Sequence, residues 1–289
     1  MKVTTLTPAI GAVLEDIDLS KKLDDEEIAE IRAALLKHRV IFFTDQHISA
    51  TQHRDFARRF GSLHTHPLYP GVAEAPELFI LDNHAKNPTD NDAWHTDVTF
   101  IETPPLGAIL YAKQLPADGG DTLWCNMRAA YEGLSPAMRD FLSGLDAVHD
   151  FARGFPARRT VAQAAGEEKY TKALEEHPPV IHPVIRTHPE TGEDALFVNY
   201  GFTSRIKGLR NKESTAILNM LFEHIQKPEF QVRWRWKENA IAFWDNRITQ
   251  HYAVNDYLPD RRIMHRATIL GDKPYHRSRM PQQTKAAAE

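Results

Sequence analysis

Cysteine is almost missing from this chain: Cys125 is the only one in 289 residues. That excludes an intramolecular disulfide framework, thiolate zinc centres and cysteine-held iron–sulfur clusters, and it suits a reducing cytoplasm. Long hydrophobic runs are missing too. No segment approaches the roughly 20 apolar residues of a spanning helix, so no membrane partner is expected. The N-terminal stretch carries one lysine and no apolar block before Glu15 and Asp16, so a secretory leader is not expected either. Concentrated positive charge is the third absence. The net charge is -4, and no basic stretch is long enough to displace many counterions, which argues against a nucleic-acid partner. Arg153, Arg158 and Arg159 form the densest basic group outside the C-terminal segment and read as a solvated or lid-like loop.

What is present is an ordinary globular balance, 42% hydrophobic and 26% charged residues, in a chain long enough to bury a large core. Asp24 with Glu27, and Ser49 with Gln52, are capping-box pairs that open helices; Ile28, Ile31 and Leu35 face inward on the first, Phe56 and Phe60 on the second, which Gly61 ends. Ser135, Pro136 and Gly144 bracket a third helix. KESTAILNMLFEHIQ is a fourth, with Ile217, Met220, Leu221, His224 and Ile225 on or near its apolar face and Pro228 as its stop. RVIFF is a short strand buried on both sides. APELFILDNH, PLGAILYAKQL, GDTLWCNM, ALFVNYGFTSRI, QVRWRWKENAIAFWDN and RRIMHRATIL are β-rich runs separated by turn residues. The expected class is mainly β with flanking helices, a β-sandwich or double-stranded β-helix. One domain over residues 1–289 is expected, with 150–179 as a candidate lid and 280–289 as a frayed tail.

The chemistry concentrates in His95-Thr96-Asp97. Two residues apart on a strand, His95 and Asp97 point the same way and can grip one ion. A distant His251 can complete a set of two imidazoles and one carboxylate, the arrangement that leaves one face of an octahedral Fe(II) open for oxygen chemistry. The competing structural reading is a hydrogen-bonded Asp–His pair plus a turn histidine. A zinc hydrolase built on two histidines and an aspartate shares the same ligand set. His265 is a rival third ligand, but Arg262, Met264, Arg266 and Thr268 alternate against it along their strand, so arginines facing the cavity turn His265 away. Two guanidiniums inside a barrel must meet anions, because an unpaired buried charge is prohibitive; Arg binds carboxylates and similar oxyanions in a fork. Their competing reading is a solvated face paired to Asp245, Asp256 or Asp260.

Taken together, WHTDVTFIETPP, GGDTLW, FVN, PEFQVRWRW, WDNRITQHYA and DYLPDRRIMHRATILGDKP resemble the TauD/TfdA family of Fe(II)/2-oxoglutarate-dependent dioxygenases. VIFFTDQ and HTHPLYP extend the likeness over nearly the whole chain, and it is most specific in the last third. The resemblance implies a double-stranded β-helix (jelly-roll) core, iron held by His95, Asp97 and His251, and O2 and 2-oxoglutarate as cosubstrates. It makes Arg262, assisted by Thr122, the anchor for the far carboxylate of 2-oxoglutarate, and Arg266 the anchor for a substrate sulfonate. His66, Tyr69, Asn91, Phe155 and Phe202 match the pocket of the taurine-oxidising members, which implies taurine as a small sulfonate partner, with another alkylsulfonate or a sulfate ester as the alternative on the same chemistry; the family also implies a homo-oligomer. Two positions depart from that pattern: Gly154 stands where a serine is expected, and Tyr200 where an acidic residue is expected.

Overall fold

A computed structural model describes residues 1–65, 70–88, 91–157 and 166–279 of the chain. Its largest sheet has eight strands in the order Lys2–Thr5, Ala12–Glu15, Val40–Phe43, Ile241–Asp245, Gly107–Gln114, Arg262–Ile269, Ala75–Asn83 and Gly71–Val72. A three-stranded sheet, Gln231–Trp234, Thr122–Asn126 and Thr249–Ala253, packs against one of its faces. Smaller sheets pair Thr203–Ile206, Asp146–His149 and Val180–Pro183, and Ile185–Thr187 with Asp194–Leu196. The core is the expected double-stranded β-helix, mainly β with flanking helices.

Period-two alternation decides what each strand presents to each layer. On Gly107–Gln114, Ala108, Leu110 and Ala112 enter the space between the sheets, while Ile109 and Tyr111 face the opposite way. Ile241–Asp245 repeats this, with Ala242 and Trp244 inside and Ile241 and Phe243 outside. The outside residues meet the helices Asp25–His38 and Ala50–Arg58 through Ile31, Leu35, Phe56 and Ala57. On the three-stranded sheet Trp124 points inward and Cys125 outward, onto the helices Met127–Glu132, Pro136–Ser143 and Asn211–His224. Burying a large apolar side chain contributes about 1.5–3 kcal/mol, so a one-residue slip in any of these strands would exchange core for surface. Among the described residues no helix is long and apolar enough to cross a membrane.

Both capping boxes form: Asp24 and Glu27 bond reciprocally at 2.9 and 2.8 Å, Ser49 and Gln52 at 3.2 and 2.8 Å. Three expectations need correction, and the candidate lid and tail lie partly or wholly outside the described residues. ALFVNYGFTSRI and QVRWRWKENAIAFWDN are each two strands rather than one, broken at 197–202 and 235–240. The buried stripe of Asn211–His224 is Leu218, Leu221 and Phe222, with Ile225 just beyond; Ile217 and Met220 are only partly covered, because the helix packs one residue further round. The 150–179 segment carries the helices Phe151–Gly154 and Glu167–Glu176, and 158–165 lies outside the described residues, as does the 280–289 tail. Lastly, the sequence following Asp97 is a turn and not a strand.

Several histidines are buried away from the site. His53 is fully covered and donates from Nε2 to the Ile109 carbonyl, and burial lowers its pKa to about 3. His182, bonded to the Thr99 and Ile101 carbonyls, is lowered by burial to about 4. Between pH 6.5 and these values the unfolded chain takes up protons that the folded chain refuses, so stability is full above pH 6.5 and falls as the pH drops. Denaturant titrations should show a loss on the order of 2–4 kcal/mol between pH 6.5 and 5, and His53→Gln should flatten that slope.

Candidate active site

His95 and His251 pair across the barrel mouth as an isolated antiparallel bridge. The His95 amide donates to the His251 carbonyl at 3.0 Å, and the His251 amide returns the bond at 2.8 Å. Their rings lie 4.1 Å apart, and Oδ1 of Asp97 is 3.7 Å from Nε2 of each. The three ligand atoms fall within 4.8 Å of one another, and all three residues are buried. Nδ1 of His95 faces the Ala93 carbonyl at 2.7 Å, which directs Nε2 toward the carboxylate. A carbonyl partner of this kind is how metal-binding imidazoles are usually oriented.

Asp97 reaches the site by a different route from the one its spacing predicts. Its amide donates to Oδ1 of Asn246 at 2.9 Å, and Nδ2 of Asn246 donates to the Asp97 carbonyl at 3.1 Å. The side chain of Thr96 donates to the Thr249 carbonyl at 2.9 Å. Val98 then takes φ 53°, a conformation that costs a β-branched residue energy and that the surrounding bonds must impose. The clamp on Asn246 is itself anchored by its neighbour Asp245, which is fully buried. Arg247 grips Asp245 through two bonds of 2.9 and 2.6 Å, and His188 adds one of 2.9 Å. Burial opposes ionisation of Asp245, but the Arg247 charge outweighs it and holds the carboxyl far below its ordinary range.

Burial also opposes ionisation of Asp97; Arg266, then His251 and His95, overcome it and keep the carboxyl well below the usual range. Burial, and then the His95 ring, push His251 well below the ordinary imidazole value, so it stands as a neutral ligand. Arg266 forms an ion pair with Oδ2 of Asp97, and its Nε is buried without a hydrogen-bond partner among the described residues. The solvated-face reading of these arginines does not hold: Arg262 is 5% exposed and Arg266 7%, while His265 faces the other side of the sheet near Lys113 and Glu74.

Arg262 stands four residues before Arg266 on the strand Arg262–Ile269. Burial lowers its pKa to about 10, which leaves it cationic at neutral pH, and its Nε and Nη2 have no hydrogen-bond partner among the described residues. Asp121, the nearby carboxylate, is taken by Arg233 at 2.7 Å. Thr122 accepts a bond from the Trp236 indole at 2.9 Å, which leaves its hydroxyl proton to donate elsewhere. The buried Tyr257 hydroxyl is also without a partner among the described residues. Gly120, at φ 70°, lets the backbone pass close to Arg262; a Cβ there would come within 3.3 Å of Nε. This donor set lacks an anion, and a carboxylate fits it.

Asn91, Phe155, Phe202 and Arg266 line one cavity with His95 and Asp97, so four of the six expected substrate-pocket residues come together. The other two, His66 and Tyr69, lie outside the described residues. The cavity also includes His64, whose place in HTHPLYP was not singled out. Asn246 and Tyr257, also missed, sit inside WDNRITQHYA and DYLPDRRIMHRATILGDKP, so the motifs contained them without revealing their contacts. The two departures from the expected pocket have visible consequences. Gly154 lies under the Phe202 ring, where a Cβ would come within 2.2 Å. Tyr200 is 56% exposed, with the Arg153 guanidinium 5.1 Å over its ring and Arg153 Nε donating to its carbonyl at 2.8 Å.

Residues 2–268 match the profile described as "Taurine catabolism dioxygenase TauD, TfdA family". An alkylsulfatase of Acinetobacter baylyi is 38% identical over 275 residues, which cover 94% of this chain and 86% of that protein. An alpha-ketoglutarate-dependent sulfate ester dioxygenase of Pseudomonas putida is 39% identical over 267 residues, 92% and 88% of the two chains. The crystal structure of a taurine dioxygenase from Burkholderia xenovorans superposes with a TM-score of 0.82 at 38% identity, covering 96% of this chain and 91% of that one.

The Gly154 contact makes the pocket sensitive to one methyl group. Gly154→Ala should displace Phe202, lower stability by about 1–3 kcal/mol and raise the substrate KM. Thermal unfolding and steady-state kinetics on the same preparation check both.

Proposed function

The chain belongs to the TauD/TfdA family of dioxygenases that depend on Fe(II), 2-oxoglutarate and O2, and from that premise we propose that it oxidises the carbon bearing the sulfur group of a small alkyl sulfonate or alkyl sulfate ester. The observation that carries this reading is the buried Arg266 beside the His95, Asp97 and His251 cluster, in a cavity walled by Phe155 and Phe202. A forked cation next to the reacting centre suits a compact oxyanion. The phenyl rings suit the carbons attached to it. The ligands come from residues 95 and 251, and the two main sheets share one buried layer, so the catalytic unit is read as a single domain.

Each side chain has a distinct role in this proposal. His95, Asp97 and His251 hold the iron. Arg262, with the hydroxyls of Thr122 and Tyr257 beside it, anchors the far carboxylate of 2-oxoglutarate. When bound, iron with its cosubstrates would supply the oxidising power that replaces a C–H bond by C–OH: one atom of O2 enters that hydroxyl and the other enters the succinate that 2-oxoglutarate becomes on losing carbon dioxide. Arg266 orients the oxyanion so that the adjacent carbon is the one presented. The hydroxylated carbon then loses its sulfur group and becomes an aldehyde, releasing sulfite from a sulfonate or sulfate from an ester. The hydrophobic walls exclude water from the reacting carbon. A zinc hydrolase would leave the unpartnered donors of Arg262 and Tyr257 without a purpose.

Taurine is the narrower form of this reading, supported by the gathering of Asn91, Phe155, Phe202 and Arg266. Its ammonium group asks for an acidic partner. Of the described residues around the cavity and beside it, Asp97 belongs to the ligand set and Asp92 is exposed, while Arg153 places a cation beside Tyr200. That balance favours a sulfonate or ester without an amine.

Iron-loaded protein given 2-oxoglutarate, air and a panel of taurine, alkanesulfonates and alkyl sulfates should form succinate and sulfite or sulfate in equal amounts. His95→Ala should abolish both products. Arg262→Gln should weaken 2-oxoglutarate binding by about 10- to 100-fold with a smaller effect on the sulfur substrate, and Arg266→Gln should do the reverse. Equal effects of the two substitutions on both affinities would contradict the assignment, and succinate without any sulfur product would contradict the substrate class.

A further inference from the structure

The cavity at the ligand cluster is small, about 50 Å³. That is on the order of one or two waters, so it can take an oxyanion and the carbon attached to it but little more. Next to it lies a larger chamber of about 250 Å³, walled by Val98, Phe100, Ile101, Phe151, Phe155 and Ala173. The two cavities are neighbours through shared walls: His64, Val98, Phe100 and Phe155 line both. Within the wall of the larger one, Phe100 is edge-on to Phe151 at 5.1 Å and to Phe155 at 6.0 Å.

The polarity of the chamber is graded. Its apolar walls belong to one cluster of Phe100, Phe151, Ala173 and their neighbours, with the His64 and His177 imidazoles completing the lining. Its charged residues, Lys169, Lys172 and Glu176, are exposed, and Lys172 pairs with Glu176 at 3.7 Å. The hydroxyl of Tyr170 donates to the Phe155 carbonyl at 3.0 Å and ties the helix Glu167–Glu176 to the segment that carries the shared wall. An apolar space of this kind, open at a charged rim, has no use for a two-carbon substrate whose other end is an ammonium.

We propose that this chamber binds an unbranched alkyl tail of several carbons, so that the substrate is an alkyl sulfate or alkanesulfonate with its oxyanion on Arg266, its reacting carbon at the ligand cluster and its chain running past Val98 and Phe155 into the space between Phe100, Phe151 and Ala173. The proposal rests on the organosulfur reading above and adds the length and apolarity of the substrate. Two ethyl compounds without a tail mark the boundary between the two readings.

The test is a homologous series of ethyl, butyl, hexyl and octyl sulfates and sulfonates, assayed with the iron-loaded enzyme for succinate and for sulfate or sulfite. The wild type should gain about threefold in kcat/KM per added methylene until the chamber is full. Ala173→Trp and, independently, Ile101→Trp should lower the octyl-to-ethyl ratio of kcat/KM by at least about tenfold. Circular dichroism identifies whichever of the two variants is folded, and the wild-type series decides even without them. A flat or falling wild-type profile, or a ratio unmoved in a folded variant, overturns the tail site while ethyl turnover leaves the organosulfur reading intact. If no member of the series yields a sulfur product, that reading fails and the tail site fails with it.

Discussion

Two backbone hydrogen bonds between His95 and His251 hold the rest of the site in place. They join the segment after residue 91 to the strand Thr249–Ala253, and without them the ligands of a metal would be separated by more than half the chain. The pairing brings two imidazoles to one point, and Thr96 and Asn246 lock the intervening segment so that Asp97 arrives as the third ligand. Behind Asn246 stands the buried set of Asp245, Arg247 and His188. Removing one member of such a set costs about 3–5 kcal/mol, so the ligand geometry is backed by a substantial part of the protein's stability.

Charge arrangement follows from that geometry. The same interior holds Asp97 ionised, His251 neutral and two arginines almost fully covered. Arg266 is satisfied in part by Asp97, whereas Arg262 has no anion of its own among the described residues. The proposed function gives Arg262 its partner in a bound carboxylate and lets Arg266 share its charge between Asp97 and an arriving oxyanion. In the proposed function this asymmetry is what separates a cosubstrate site at Arg262 from a substrate site at Arg266, and it follows from which strand positions face inward.

Much of this could be read from the sequence, where the signal is local. Strand parity put Arg262 and Arg266 on one face and His265 on the other, burial in the fold decided that the arginines are the inward set, and short polar patterns located both capping boxes. The pairing of His95 and Asp97 with a remote His251 was also legible, because residue type and position in β-rich runs suggested it. The turn after Asp97 was not legible, since its cause is a side chain 149 residues away. Nor was the hairpin of Lys2–Thr5 with Ala12–Glu15, whose outer strand is exposed along its whole length and so carries no burial pattern. The ion pair between Arg266 and Asp97 was missed for the same reason as the turn: spacing shows which face a residue occupies, and only the assembled barrel shows what stands opposite.

The central claim is that His95, Asp97 and His251 act as one metal site with a cosubstrate anchor at Arg262. Anaerobic titration with Fe(II), followed by 2-oxoglutarate and monitored by optical absorbance and bound-metal analysis, tests it most directly. The account predicts one ion per chain, a new charge-transfer band when 2-oxoglutarate is added, and loss of both in Asp97→Ala and His251→Ala. Stoichiometric iron and an unchanged band in either variant would contradict it.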